Sequence, residues 1–209
     1  ATTGSIDASS VTSISGSGSD LVGIYSASGE IAGLGTENVS ITDTGTLASS
    51  TVTSIDAYTT GTVTLSGAGS LTLSSTAGQT VDLSGVTNSL SGTLTINDST
   101  GDEIITGTSG NDIINISSGS DTVNAGNGAD TINIAIDNLD HADTVNGGNG
   151  TDSINFSSSG TLTSTDLTNV SDVENLNFSS GNDTFSFTDK ADYDSTISKF
   201  STVRGGSGT

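Results

Sequence analysis

Carboxylates carry most of the chemistry available to this sequence, and they recur at a fixed step. The segment GGNGTDSIN (147–155) sets three glycines ahead of Asp152 and follows it with Ile154 and Asn155. The same form stands at DSTGDEIIT (98–106), GTSGNDIIN (107–115), ISSGSDTVN (116–124), AGNGADTIN (125–133) and, after residues 134–137, NLDHADTVN (138–146). Six units thus carry an acid at position 6 (Glu103, Asp112, Asp121, Asp130, Asp143, Asp152). They carry Ile or Val at position 8 (Ile105, Ile114, Val123, Ile132, Val145, Ile154). An outlying unit, FSSGNDTFS (178–186), repeats the pattern around Asp183. Oxygen donors of this kind are the ligands of hard cations. The glycines permit positive φ and let backbone carbonyls converge. With no Cys in the chain, thiolate metal sites and disulfides are excluded.

Catalytic chemistry has little to stand on. His141 is the one histidine, and as a general base it needs a nucleophile and an orienting partner. Asp137, Asp140 and Asp143 offer the orientation, or a small cation site of their own, but the surrounding sequence reads as an exposed loop. A polysaccharide lyase built on a β-helix needs a basic residue to abstract a proton. Residues 1–189 contain neither Lys nor Arg. The chain is therefore read as a non-enzyme.

The elements that must hold these acids follow from the nine-residue step. Positions 1 to 6 make a turn and positions 7 to 9 a minimal strand, with position 8 pointing inward by the two-residue alternation. One unit cannot bury its single Ile, whereas stacked units bury a continuous aliphatic column. The expected fold is all-β, a parallel β-solenoid. Residues 1–97 lack the nonapeptide but share its strand grammar in Val39/Ile41, Val63/Leu65, Leu71/Leu73, Val81/Leu83 and Leu94/Ile96. SIDA at 5–8 returns at 54–57, and SVTSI at 10–14 returns as TVTSI at 51–55. The expected organisation is a Ser/Thr/Gly-rich β-helix without the acidic motif over 1–97, the nonapeptide block over 98–155, and a continuation with a C-terminal cap over 156–209. In the last part ENLNF (174–178) echoes ENVSI (37–41). KADYDSTISKF (190–200), apolar at Tyr193, Ile197 and Phe200, has the one helix-like spacing and predicts a capping helix. A β-sandwich array is the competing fold, and the regular nine-residue phase argues against it. Asn115, Asn124, Asn133, Asn146 and Asn155 at position 9 face outward, either as a ladder of stacked amides or as a face for ice or lattice contact.

Composition narrows the partners. The 209 residues include 24 Asp or Glu against 3 Lys or Arg, for a net charge of −21, and no Pro, Met, Cys or Trp. Such charge excludes direct binding of nucleic acid or anionic membrane. No stretch approaches the roughly 18 apolar residues of a membrane span, and no signal peptide is visible, so no direct membrane insertion is expected. Lack of Pro suits uninterrupted backbone ladders. Lack of Met predicts a processed or excised segment. Disorder competes only for the metal-free state.

The nonapeptide block resembles the calcium-binding β-roll of the RTX family of secreted proteins, whose consensus GGxGxDxUx is matched in full by 147–155. The resemblance implies two units per coil, with Ca2+ held between loops two units apart. It implies metal ligation at Asp112, Asp130 and Asp152 on one edge, with the turn residues Gly107, Ser109, Gly110, Gly126, Asn127, Gly128, Gly148, Asn149 and Gly150. The opposite edge would hold Glu103, Asp121 and Asp143, with a further site near Asp183. That edge ranks second, because Asp98-Ser99, Ile116-Ser117, Asn138-Leu139 and His141 replace the expected glycines. Asp130→Ala is accordingly expected to lose more bound calcium than Asp121→Ala. A Ser/Thr/Gly-rich β-helix with embedded RTX-like repeats and almost no Lys is similar to bacterial surface-layer (S-layer) proteins exported by type I secretion. The function so implied is an extracellular, cell-surface structural protein, stabilised by calcium, that self-assembles as a homo-oligomeric sheet or filament. Cell-surface polysaccharide would be met through another region. Head-to-tail contact is expected between the basic C-terminal segment (Lys190, Lys199, Arg204) and the acidic body. The alternatives are a stalk or binding module of a large RTX adhesin and, third, the secretion domain of an exoenzyme or toxin, which GGSGT (205–209) disfavours by lacking an apolar tail.

Overall fold

The computed structural model describes residues 5–27, 29–188 and 190–207. They form a mostly β protein in which every strand pairing is parallel. The longest sheet has eight strands: Gly45–Ala48, Leu71–Ser74, Leu94–Asn97, Asp112–Asn115, Thr131–Ile134, Ser153–Phe156, Asn175–Asn177 and Thr202–Arg204. A five-stranded sheet holds Thr80–Asp82, Ile104–Thr106, Thr122–Asn124, Thr144–Asn146 and Val170–Ser171. A four-stranded sheet holds Ser13–Gly16, Asn38–Ile41, Val63–Leu65 and Val86–Asn88. From Val63 to Asn97 the chain visits the four-, eight- and five-stranded sheets in rotation, and from there to Asn177 it adds strands alternately to the eight- and five-stranded sheets. This arrangement is compatible with a parallel β-solenoid.

Each of the six tandem nonapeptides supplies its positions 7 to 9 as a strand, as the alternation predicts. Ile113 pairs with Thr131, 18 residues on, so two units make one step along a sheet. Where residues 134–137 intervene, Ile132 pairs with Ile154, and the step lengthens to 22. The strands of an 18-residue step are joined by short turns, while the longer steps before residue 94 leave room for a third strand or a helix. All six position-8 residues are buried, and they continue the column formed by Val39, Ile41, Val63, Leu65, Leu71, Leu73, Leu94 and Ile96. A single core therefore runs through all three expected segments. At about 1.5–3 kcal/mol for each fully buried aliphatic side chain, this column is the main source of cohesion.

Outward, position 9 builds an amide ladder along the eight-stranded sheet. The Nδ2 of Asn115, Asn133, Asn155 and Asn177 donates to Oδ1 of Asn97, Asn115, Asn133 and Asn155 at 2.6, 2.8, 3.2 and 2.8 Å. Asn124 and Asn146 lie on the five-stranded sheet instead.

Two helices depart from the sequence expectation for 1–97. Gly18–Ser26 (α1) is started by Ser17, whose Oγ accepts from the Asp20 N–H at 3.2 Å, and it buries Leu21 and Tyr25 one turn apart. Ser49–Tyr58 (α2) buries Val52 and Ile55 and packs on α1. Gly18 is required at that crossing, because a Cβ there would come within 2.8 Å of the Thr51 methyl. The repeated SIDA and TVTSI words therefore take different structures: Ile6–Asp7 is a strand, while residues 51–57 lie in α2. Identical tetrapeptides did not mark identical places. The expected helix is present as Lys190–Ile197 (α3), with Phe200 buried just beyond it, and it precedes the terminal strand Thr202–Arg204 of the eight-stranded sheet. The Lys190 and Tyr193 side chains lie outside the described residues. Ahead of it, Phe156, Phe178, Phe185 and Phe187 form a chain of ring contacts, with centroids 5.0, 5.8 and 4.4 Å apart, that fills the widened final coils.

Candidate metal centre

Position 6 lies at or just before the start of each strand, and the stacking turns every position-6 acid inside. None of the six is more than 3 % exposed. Their carboxylates form two columns held by the backbone. In one, the N–H groups of Asp112, Asp130 and Asp152 donate to Asp130 Oδ1, Asp152 Oδ1 and Glu174 Oε2 at 2.8, 2.8 and 2.7 Å. In the other, the N–H groups of Gly78, Glu103 and Asp121 donate to Glu103 Oε1, Asp121 Oδ1 and Asp143 Oδ1 at 2.6, 2.9 and 2.8 Å. Glu103, Asp121, Asp130, Asp143, Asp152 and Glu174 thus each fasten their own coil to the preceding one by a charge-assisted bond, whereas Asp112 accepts from Thr108 of its own turn.

The second carboxylate oxygen distinguishes the acids. Asp112 Oδ2 accepts from the Thr108 N–H and Oγ1 at 2.7 and 3.1 Å, and Asp143 Oδ2 from the Asp140 N–H at 2.9 Å. Asp130 Oδ2, Asp152 Oδ2, Glu103 Oε2 and Asp98 Oδ1 are buried with no hydrogen-bond partner. An unsatisfied charged oxygen in that position costs several kcal/mol unless a proton or cation meets it.

Burial accordingly raises the carboxyls: Asp112 and Asp121 to about 6, Asp130 and Glu103 to about 7, and Asp143 and Asp152 upward as well. At Glu103 the neighbouring Asp98 carboxylate adds to the effect. Glu37 provides the contrast. It too is buried, which pushes it up, but the Tyr25 hydroxyl and the Gly35 and Thr36 N–H groups donate to it, and it ends below its usual range. A buried acid with full hydrogen bonding is a structural fixture, and one with a free oxygen can take a proton or a metal ion.

Glycine corners leave room at these oxygens. A Cβ on Gly107 would stand 2.8 Å from Asp112 Oδ2, and one on Gly147 2.9 Å from Asp152 Oδ2. Gly126, Gly128, Gly148 and Gly150 take φ of 110°, 131°, 94° and 148°, and each faces a carbonyl oxygen or carbonyl carbon of the coil before. Gly107, Ser109, Gly126, Asn127, Gly148 and Asn149 line one groove of about 470 Å3 along this edge. The structure thus gathers the predicted turn residues around the Asp112, Asp130 and Asp152 column. Gly107 and Gly110 do not take positive φ, and Thr108 stands where later units have glycine.

The other edge differs from expectation in two ways. Ile116 and Ser117 cause no strain there, since Asp172 alone among the described non-glycine residues has positive φ. Moreover, the one set of three acids among the described residues whose ligand atoms all lie within 4.8 Å of one another is Asp98, Glu103 and Asp121. Buried Asp and Glu grouped in this way can hold a metal ion. Asp137, Asp140 and Asp143 do not form such a group. His141 is exposed, and its carbonyl accepts from Asn169 Nδ2 at 2.9 Å. Asp183 serves another coil, accepting from the Gly160 N–H at 3.2 Å and from the Ser179 hydroxyl.

Three participants escaped the sequence reading. Asp98 occupies a position where the pattern calls for glycine, Thr108 caps Asp112, and Glu174 extends the column beyond Asp152. Glu174 stands 22 residues after Asp152, the same step as from Asp130 to Asp152, and that step was the available signal.

Comparison with protein-family models, curated proteins and solved structures finds no match to this chain.

Proposed function

We propose that this chain is a calcium-stabilised structural protein of the cell exterior, a parallel β-solenoid whose nonapeptide block works as an RTX-like β-roll and whose copies assemble into a surface layer or fibre. The observation that carries the reading is the pair of buried carboxylate columns with free oxygens at Asp130, Asp152 and Glu103. A hard divalent cation offers those oxygens the charge that no Lys or Arg supplies, since residues 1–189 have none. Asp112, Asp130 and Asp152 would hold it on the glycine-rich edge. Where calcium is scarce the columns repel and the block loosens. Where calcium is near millimolar the coils close. Export in the loose state and folding outside follow from that dependence. Assembly has a matching requirement, because chains of −21 repel one another until cations bridge them.

Circular dichroism and electron microscopy with and without calcium test the reading. Chelation should convert β signal to coil, and added calcium should produce sheets or fibres. A spectrum and melting temperature indifferent to chelator would refute the calcium role. Lone rods at high protein and calcium concentration would reassign the chain to an adhesin stalk.

A further inference from the structure

We propose that Asp98, Glu103 and Asp121 form a separate divalent-cation site that fastens the nonapeptide block to the longer coils before it. The inference rests on the calcium reading above but concerns different residues from the glycine-rich edge. Asp98 stands at position 1 of the first nonapeptide, where GGNGTDSIN has Gly147, so a carboxylate enters where the pattern supplies only backbone.

Each of the three acids is already aimed by a backbone bond. Glu103 Oε1 accepts from Gly78 of the coil before, Asp121 Oδ1 from Glu103, and Asp98 Oδ2 from Ser117 at 3.0 Å. What remains is Glu103 Oε2, on a side chain 1 % exposed, and Asp98 Oδ1, both buried and without a partner, beside Asp121. Three fixed carboxylates without a nearby cation repel one another. A divalent ion leaves them with a single net charge and needs little rearrangement, as hard cations take several oxygens in flexible geometry.

The location gives the site its role. Strand Leu94–Asn97 pairs backward with Leu71–Ser74 at a step of 23 residues and forward with Asp112–Asn115 at a step of 18. The coil length changes here, and the three acids with Gly78 span the coils on both sides of the change.

Asp98→Asn in the full chain is the test, since an amide oxygen still accepts from the Ser117 N–H. Calcium titration by calorimetry should show one fewer ion bound per chain than in the parent, and Glu103→Gln should lose the same ion. In chelator Asp98→Asn should melt above the parent, because one repelling charge is gone, while in millimolar calcium it should melt below it. A merely structural Asp98 would shift both melts in the same direction. Unchanged stoichiometry, or shifts of one sign, overturns the site while leaving the calcium reading intact. A parent chain that binds no calcium at all rejects both.

Discussion

Asp130 holds the Asp112 N–H with one oxygen and keeps the other buried without a partner. Asp130→Ala therefore leaves a buried N–H unpaired, and urea unfolding in calcium should show a loss of at least about 1–3 kcal/mol. Asp130→Asn should recover the part due to the N–H. Asp121 does the same for the Glu103 N–H, so Asp121→Ala should lose a similar amount, and the asymmetry expected from the glycines alone should vanish for this bond. The raised carboxyls also set a pH dependence for the metal-free protein. Asp112 and Asp121 at about 6, with Asp130 and Glu103 at about 7, keep protons when folded that they would release when unfolded. The folded state binds more protons between roughly pH 4 and 7, so stability is fullest below that window and falls as pH rises through it. Melting in chelator should drop from pH 4 to pH 8. With saturating calcium the drop should shrink or reverse, because the ion takes the proton's place. A melting temperature in chelator that rises over this range would contradict the burial of these acids.

The turns and helices respond to substitution in opposite directions. Gly150 has φ of 148°, and a Cβ there would collide with the Gly128 carbonyl of the neighbouring coil. Left-handed backbone and overpacking together should cost Gly150→Ala about 2–5 kcal/mol. Gly23 lies inside α1 with nothing within 4 Å of an added Cβ, so Gly23→Ala should gain up to about 1 kcal/mol. Thermal melts of the two variants distinguish a turn that needs glycine from a helix that merely tolerates it. The beginning of α1 carries a local signal that the strand reading of 1–97 passed over: Ser17-Gly18-Ser19-Asp20 has the spacing of a capping box, and Leu21 and Tyr25 are one turn apart. The helix α2 carries none. Its Thr51-Val52-Thr53 run is β-branched and favours a strand, it has no side-chain cap, and it is helical because Val52 and Ile55 are buried against the end of the core beside α1.

Over the whole molecule, one aliphatic core passes through segments with very different charge inside them. Residues 1–97 contain a single fully buried acid, Glu37, and it is hydrogen bonded on both oxygens; the nonapeptide block contains six. Removing calcium should therefore loosen the molecule unevenly. Hydrogen exchange in chelator should show loss of protection concentrated in 98–155, with the sheets of 1–97 keeping more of theirs. Uniform loss would mean that the core is too cooperative for the acids to act locally. Light scattering should rise with millimolar calcium if copies assemble through cation bridges, and fall again on chelation.

The nonapeptide strands, their inward Ile and Val, the parallel stacking and the outward Asn row were all readable from the sequence, because each follows from a two-residue alternation repeated at a constant step. Local periodicity determines which way a side chain points and how far along the chain its neighbour lies. It does not determine which oxygens are satisfied. Thr108 meeting Asp112 is a contact within one turn that the repeat does not mark, while Glu174 continuing the Asp152 column and Asp98 lying beside Asp121 are relations between coils, set by how each turn seats against the one before. Only the tertiary structure decided them. A buried carboxylate becomes a bond, a proton acceptor or a cation ligand according to the donors that packing leaves within reach, some of them 3 or 4 residues away in the same turn and others 18 to 25 residues away in the coil before.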